Sequence, residues 1–238
     1  MTSEESVQPA RSRLRRVGRA VVYGLVVAVV VTALAFLVRS QFDPLIRADT
    51  SAIRTATDVT REHPALRQFL LTWQLLSNPT NLYVLAALAC LWTWRRRQLT
   101  TRALWAFVTM MVGWNLALDV KYIVQRARPI VADPVSHAPG YSFPSGHAAN
   151  ATIAATTMVL LFWPLMRRTG VRVGAVVAAA LFVLVTCLDR IFLGVHFPSD
   201  VVGGVLLGAG LVLSSYAGYV DWRPPALEPD SATRKEPT

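Results

Sequence analysis

Six apolar runs dominate the 238 residues: about Ala20–Val38, Leu82–Trp94, Ala103–Val120, Ala148–Leu165, Val173–Leu188 and Val201–Val220. A helix needs about twenty such residues to cross the ~30 Å hydrocarbon layer of a bilayer. The second and fifth runs are short for a span, but both are flanked by residues that can extend a helix. With 53% hydrophobic and only 16% charged residues, the expectation is an all-α, polytopic membrane bundle of six transmembrane helices.

A formal net charge of +10 would suit a nucleic-acid binder, but the placement of the charges argues for no nucleic-acid partner. With the N-terminus inside, the inner segments hold fifteen Lys and Arg: Arg11, Arg13, Arg15, Arg16, Arg19, Arg95–Arg97, Arg102, Arg167, Arg168, Arg172, Arg223, Arg234 and Lys235. The outer segments hold nine, three of which (Lys121, Arg128, Arg190) belong to the motifs below. That asymmetry is the positive-inside bias of a multi-pass protein. It predicts an integral plasma-membrane protein whose basic surface attracts anionic membrane lipids.

No composition break splits the chain. The expected organisation is a disordered cytoplasmic tail over 1–16, one membrane domain over 17–222 and a second tail over 223–238. The nineteen uncharged residues of Ala20–Val38 favour a retained first span over a cleaved signal. Cys90 and Cys187 fall near opposite membrane faces and read as buried small hydrophobes, since a disulfide needs Cα atoms within about 7 Å. Between Arg39 and Asn78, Ala65–Leu76 carries apolar residues at 66, 69, 70, 73 and 76. That spacing predicts an outer-face amphipathic helix, lying along the surface or over a site, or else packed on the bundle.

Three polar clusters interrupt the apolar chain: Lys121-x6-Arg128-Pro129, Pro144-Ser145-Gly146-His147 and Arg190-x5-His196-x3-Asp200. The topology drawn from the loop arginines puts all three at the outer ends of spans three to six. Lys121 and Arg128 are two helical turns apart and so share one face, with Pro129 expected to end the helix at Arg128. They read as a phosphate clamp or as cations snorkelling at the membrane border. Ser145 and Gly146 open a small-residue helix whose free N–H groups suit an anion, although the Ser145 hydroxyl could cap that helix instead. His147, in the first turn, suits a general acid. Asp200, four residues after His196, can orient that imidazole as a nucleophile, or the two can simply join neighbouring helices. Asn115, Asp119 and Asn150 read as packing or supporting polar groups, and His63 and His137 as solvated. No cofactor is called for, and the histidines lack the ligand spacing of a zinc or magnesium cage.

At these residues the chain resembles the type 2 phosphatidic acid phosphatase superfamily, in its membrane branch, whose pattern is K-x6-RP, PSGH and SR-x5-H-x3-D. The resemblance spans Lys121–Asp200. It implies a six-helix membrane enzyme, independent of metal, that removes phosphate from a lipid. By that likeness His196 is the nucleophile, Asp200 its partner and His147 the acid, while Lys121, Arg128, Ser145, Gly146 and Arg190 hold the phosphate. The chain departs at one position: Asp189 stands where the pattern has Ser, and a carboxylate cannot donate to phosphate. Asp189 is expected to turn away or to pair with Arg190.

The expected function is thus hydrolysis of a phosphomonoester or diphosphate of a lipid at the outer face. Phosphatidic acid, phosphatidylglycerol phosphate and a polyprenyl diphosphate are the candidate substrates, with a lean to the last. A lipid phosphotransferase using the same site and an inactive phospholipid-binding protein are the alternatives.

Overall fold

The computed structural model describes residues 7–130 and 135–220, with side chains from residue 13 on. Among these residues eight α-helices follow one another and no strand occurs. They are α1 (Val7–Arg39), α2 (Asp43–Glu62), α3 (Pro64–Leu76), α4 (Pro79–Arg97), α5 (Thr100–Val124), α6 (Gly146–Phe162, prolonged by a 3-10 turn at Trp163–Leu165), α7 (Thr169–Phe192) and α8 (Pro198–Tyr219). Each of the six apolar runs falls on one helix, so the expected all-α bundle is the observed one. Five helices are long and apolar enough to cross a membrane alone; α4 reaches that measure only jointly with α3, from which it is bent by 48°. The reason is local. Pro79 restarts the helix, the Asn78 side chain accepts from Thr80 N at 2.9 Å, and Arg95–Arg97 end the apolar stretch.

Helices α6 and α8 form the centre. α6 packs on α4, α5, α7 and α8, and α8 also packs on α1 and α5. Between helices in lipid there is little hydrophobic gain, so close backbone approach through small residues carries the association. A Cβ on Gly204 would lie 2.7 Å from Ser145 O, and one on Gly208 would lie 2.8 Å from Ala149 O. Those two glycines seat α8 against the first turns of α6. Around this core, α1 and α7 turn exposed Val and Leu outward, as hydrocarbon-facing helices should. Cys90 and Cys187 are buried and unpaired.

Two expectations need adjustment. The segment Arg39–Asn78 holds two helices, not one. The unforeseen α2 buries Asp49, Ile53, Ala56, Thr57 and Thr60, a face too polar to show apolar periodicity. The amphipathic α3 packs on α7: Leu70 meets Leu193 and Val195, and Trp73 Nε1 donates to Thr186 Oγ1 at 3.2 Å. Residues 7–16, expected as part of a disordered tail, are helical and continue α1 outward. The tails expected over 1–6 and 223–238 lie outside the described residues.

Candidate active site

The C-terminal ends of α5 and α7 and the N-terminal ends of α6 and α8 meet at one end of the bundle. Ser145 N donates to Asp200 O at 2.9 Å, and the N–H groups of Val195 and His196 both reach Arg190 O at 3.2 Å. Gly194, with φ of 75°, lets the chain reverse so that those two N–H groups turn back on Arg190. The three clusters therefore share one locus.

His196 sits just before α8, 3% exposed. Its Nε2 lies 3.2 Å from Arg128 Nη1. A guanidinium only donates, so Nε2 carries the lone pair and Nδ1 the proton. Nδ1 is 3.6 Å from Asp200 Oδ2, too far for a direct hydrogen bond. The Ser142 hydroxyl stands between them, 3.4 Å from Nδ1 and donating to Asp200 Oδ2 at 2.5 Å. Asp200 Oδ2 also accepts from Phe197 N at 2.9 Å, an N3 carboxylate closing the start of α8. Burial pushes the His196 imidazolium below its ordinary 6.5 to about 4; Asp200 opposes that fall, and Arg128 and Lys121 reinforce it. At neutral pH the ring is an uncharged base.

Two of the three cations are held by main chain. Arg128 donates to Gly140 O (3.0 Å), Pro139 O (2.9 Å) and Val195 O (2.8 Å), and Lys121 Nζ donates to Tyr141 O at 2.7 Å. The expected shared helical face of Lys121 and Arg128 is not formed. α5 ends at Val124, where Gln125 adopts a left-handed conformation (φ 54°) and its N–H caps Lys121 O. The chain then runs irregularly and still delivers Arg128 to His196. Arg190 is 2% exposed; Nε donates to Asp189 Oδ2 at 2.7 Å and Nη2 to the same oxygen. Asp189 thus pairs with its neighbour, while its Oδ1 is buried without a hydrogen-bond partner among the described residues.

At the start of α6, the Ser145 hydroxyl faces its own helix, accepting from Ala148 N at a long 3.5 Å. Gly146 meets nothing within 4 Å of where a Cβ would stand, so the first turn of α6 has open space on that side. His147 lies within the fields of Arg190, His196, Arg128 and Lys121. Its Nε2 is buried and meets no hydrogen-bond partner among the described residues.

Four residues of this locus escaped the sequence reading. Ser142 bridges His196 and Asp200. Arg126, counted only as background charge, donates to Asp200 Oδ1 at 2.6 Å and to Asp49 Oδ2 at 2.7 Å. Ser199 accepts from Arg126 Nη1 at 2.7 Å, and its N–H donates to Asp49 Oδ1 at 3.0 Å. The only available signal was a third basic residue, Arg126, two positions before Arg128. Among the secondary candidates, Asn150 supports the site's helix, accepting from Tyr83 OH at 2.7 Å and donating to Gly146 O at 2.8 Å. Asn115 and Asp119 do not pack inward: both lie on the exposed face of α5, and Asn115 bonds its own helix at Met111 O. The expectation of a packing role is corrected there, because the inward face of α5 is taken by Gly113 and Ala117.

Fold and site together describe a helical membrane protein with a cation-ringed histidine at one end. The model of the PAP2 superfamily matches residues 103–224, which include every motif residue, and the chain belongs to that superfamily. Decaprenylphosphoryl-5-phosphoribose phosphatase of Mycobacterium tuberculosis is 36% identical over 129 residues, 52% of this chain and 64% of the relative. Phosphatidylglycerophosphatase B of Bacillus subtilis is 37% identical over 94 residues, 37% of this chain and 44% of the relative. The chain thus spans less than two thirds of the length of these relatives. A crystal structure of a transmembrane PAP2-type phosphatidylglycerolphosphate phosphatase from Bacillus subtilis superposes with a TM-score of 0.70 at 22% identity, over 81% of this chain and 94% of that one. That likeness is one of fold.

Proposed function

We propose that this protein hydrolyses the phosphate of a membrane lipid through a phosphohistidine on His196. The observation that carries the reading is the two-sided hold on that ring: Arg128 at Nε2, and Ser142 and Asp200 at Nδ1. It leaves an uncharged, oriented nitrogen aimed at the cation cluster. Phosphoryl transfer is mainly positioning and stabilisation of charge on the equatorial oxygens, and Lys121, Arg128, Arg190 and the α6 amides are placed to supply that. The phosphate oxygen takes the Arg128 Nη1 hydrogen in place of Nε2; the freed Nε2 lone pair forms a bond to phosphorus as the bond to the lipid oxygen breaks, and a protonated His147 gives that oxygen its proton. Water then attacks the phosphohistidine, His147 takes the proton back, and inorganic phosphate leaves. Ser145 contributes through its backbone and its cap.

The inner excess of arginine supports an active site on the extracytoplasmic side of the plasma membrane. The mycobacterial relative, named for a phosphoribose on a decaprenylphosphoryl carrier, supports a phosphate on a polyprenyl-linked lipid as substrate. The test is purified protein in detergent with polyprenyl diphosphate, phosphatidic acid and phosphatidylglycerol phosphate, each with excess chelator. Free phosphate from the lipid alone is expected, undiminished by the chelator and inhibited by vanadate. Release from none of the three would end this reading, and phosphate appearing on an added alcohol in place of water would make the protein a transferase.

A further inference from the structure

A buried chain of charge stands behind the His196–Asp200 pair. Arg126 is 7% exposed, Asp49 2% and Asp200 0%. One guanidinium nitrogen of Arg126 takes Asp200 Oδ1 (2.6 Å) and Ser199 Oγ (2.7 Å), and the other takes Asp49 Oδ2 (2.7 Å). Asp49 is filled in turn by Ser199 N and Ser199 Oγ. The ring of Phe197, next to His196, lies under the guanidinium at 4.1 Å. The network therefore joins α2, the segment after α5 and the start of α8.

Buried ion pairs of this sort add little net stability, because desolvation cancels most of the attraction. Their effect on orientation is larger. With Oδ1 tied to Arg126, the Asp200 carboxylate cannot swing, and Oδ2 is left toward Ser142 and Nδ1. The charge also matters. Arg126 alone would draw the negative charge of Asp200 away from the imidazole, and Asp49 divides that pull between two carboxylates.

We propose that Arg126 and Asp49 are positioning residues for His196: Arg126 fixes the Asp200 carboxylate, and Asp49 keeps its charge available to the ring. The inference rests on the proposed role of the His196–Asp200 pair. The charged and titratable groups around the ring are Asp200 on α8, Lys121 on α5, Arg128 in the segment after it, His147 on α6 and Arg190 on α7; Asp49 acts from α2 through Arg126.

The test uses the full chain in detergent with Asp49→Asn and Arg126→Lys, read by kcat, KM and the titration of His196 in isotope-labelled histidine NMR. Asp49→Asn should lower kcat by about 10- to 100-fold, the scale found where outer groups orient a metal-binding side chain. KM should stay within a few-fold, since the phosphate-holding cations are intact, and the His196 titration should move to lower pH. Arg126→Lys keeps a charge but not the fork and should lower kcat the same way. Either variant folded, with kcat within about twofold of the parent and an unmoved titration, would overturn the inference. So would a kcat loss explained wholly by the fraction unfolded. If the parent protein released no phosphate from any lipid, the functional reading would fall. The titration would then decide the inference alone: a shift in either variant supports it, and no shift in both overturns it.

Discussion

Arg128 Nη1 and His196 Nε2 are 3.2 Å apart, so the group proposed to hold the phosphate also hydrogen-bonds the nitrogen proposed to attack it. That contact fixes the tautomer, and it places the clamp and the nucleophile within one phosphate's width. The three backbone carbonyls that accept from Arg128 orient its fork without neutralising it.

Replacing Arg128 by Lys removes that fork. A charge-assisted hydrogen bond is worth about 1.5–3 kcal/mol, so kcat/KM for a short-chain lipid phosphate should fall about 10- to 100-fold. Steady-state kinetics in detergent measure it. Parent-like kcat/KM would mean that a point charge suffices.

His196 gives the pH dependence its sign. Its folded value near 4 lies below the ordinary 6.5. Above 6.5 the ring is neutral in both folded and unfolded chains. Between 6.5 and 4 the unfolded chain takes up a proton that the folded one refuses, so stability falls as pH drops through that window. The neutral ring is also the nucleophile, so the acid limb of the kcat/KM profile should stand near pH 4. A limb near 6.5 would place His196 in a solvated setting.

Ser142→Ala removes the hydroxyl between Nδ1 and Asp200 Oδ2. A single hydrogen bond contributes on the order of 1 kcal/mol, so kcat should fall roughly fivefold with KM little changed. Rescue by Thr, which restores a hydroxyl, would separate this role from packing.

The motif residues were legible because their chemistry is carried by rare side chains in an apolar chain, and each lies next to a helix end. His196, Asp200 and Arg128 lie together, although Ser142 stands between the first two and Arg128 shares no helical face with Lys121. What stayed hidden depends on tertiary pairing. α2 presents threonines and Asp49 to the bundle, which resembles a solvated loop in sequence. Ser142 and Ser199 are ordinary until Asp200 and Asp49 lie beside them. The end of α5 at Val124 was missed because Gln125, not the Pro129 boundary, turns the helix off, and a left-handed glutamine has little sequence signature.

Asp189→Ser restores the hydroxyl that the family pattern carries. Arg190 would lose its buried counter-ion, at about 3–5 kcal/mol of stability, while its full charge would turn to phosphate. The expected result is a lower melting temperature together with a larger stabilisation by vanadate than the parent shows, read by thermal unfolding. An equal vanadate shift in both proteins would place Arg190 away from the anion.

His196 is the proposed acceptor of the phosphoryl group. The direct measurement is phosphate release from the preferred lipid by His196→Ala, with folding verified by its melting temperature. Loss of release to the uncatalysed background is the expected result. A folded His196→Ala protein that releases phosphate at the parent rate would contradict the phosphohistidine mechanism.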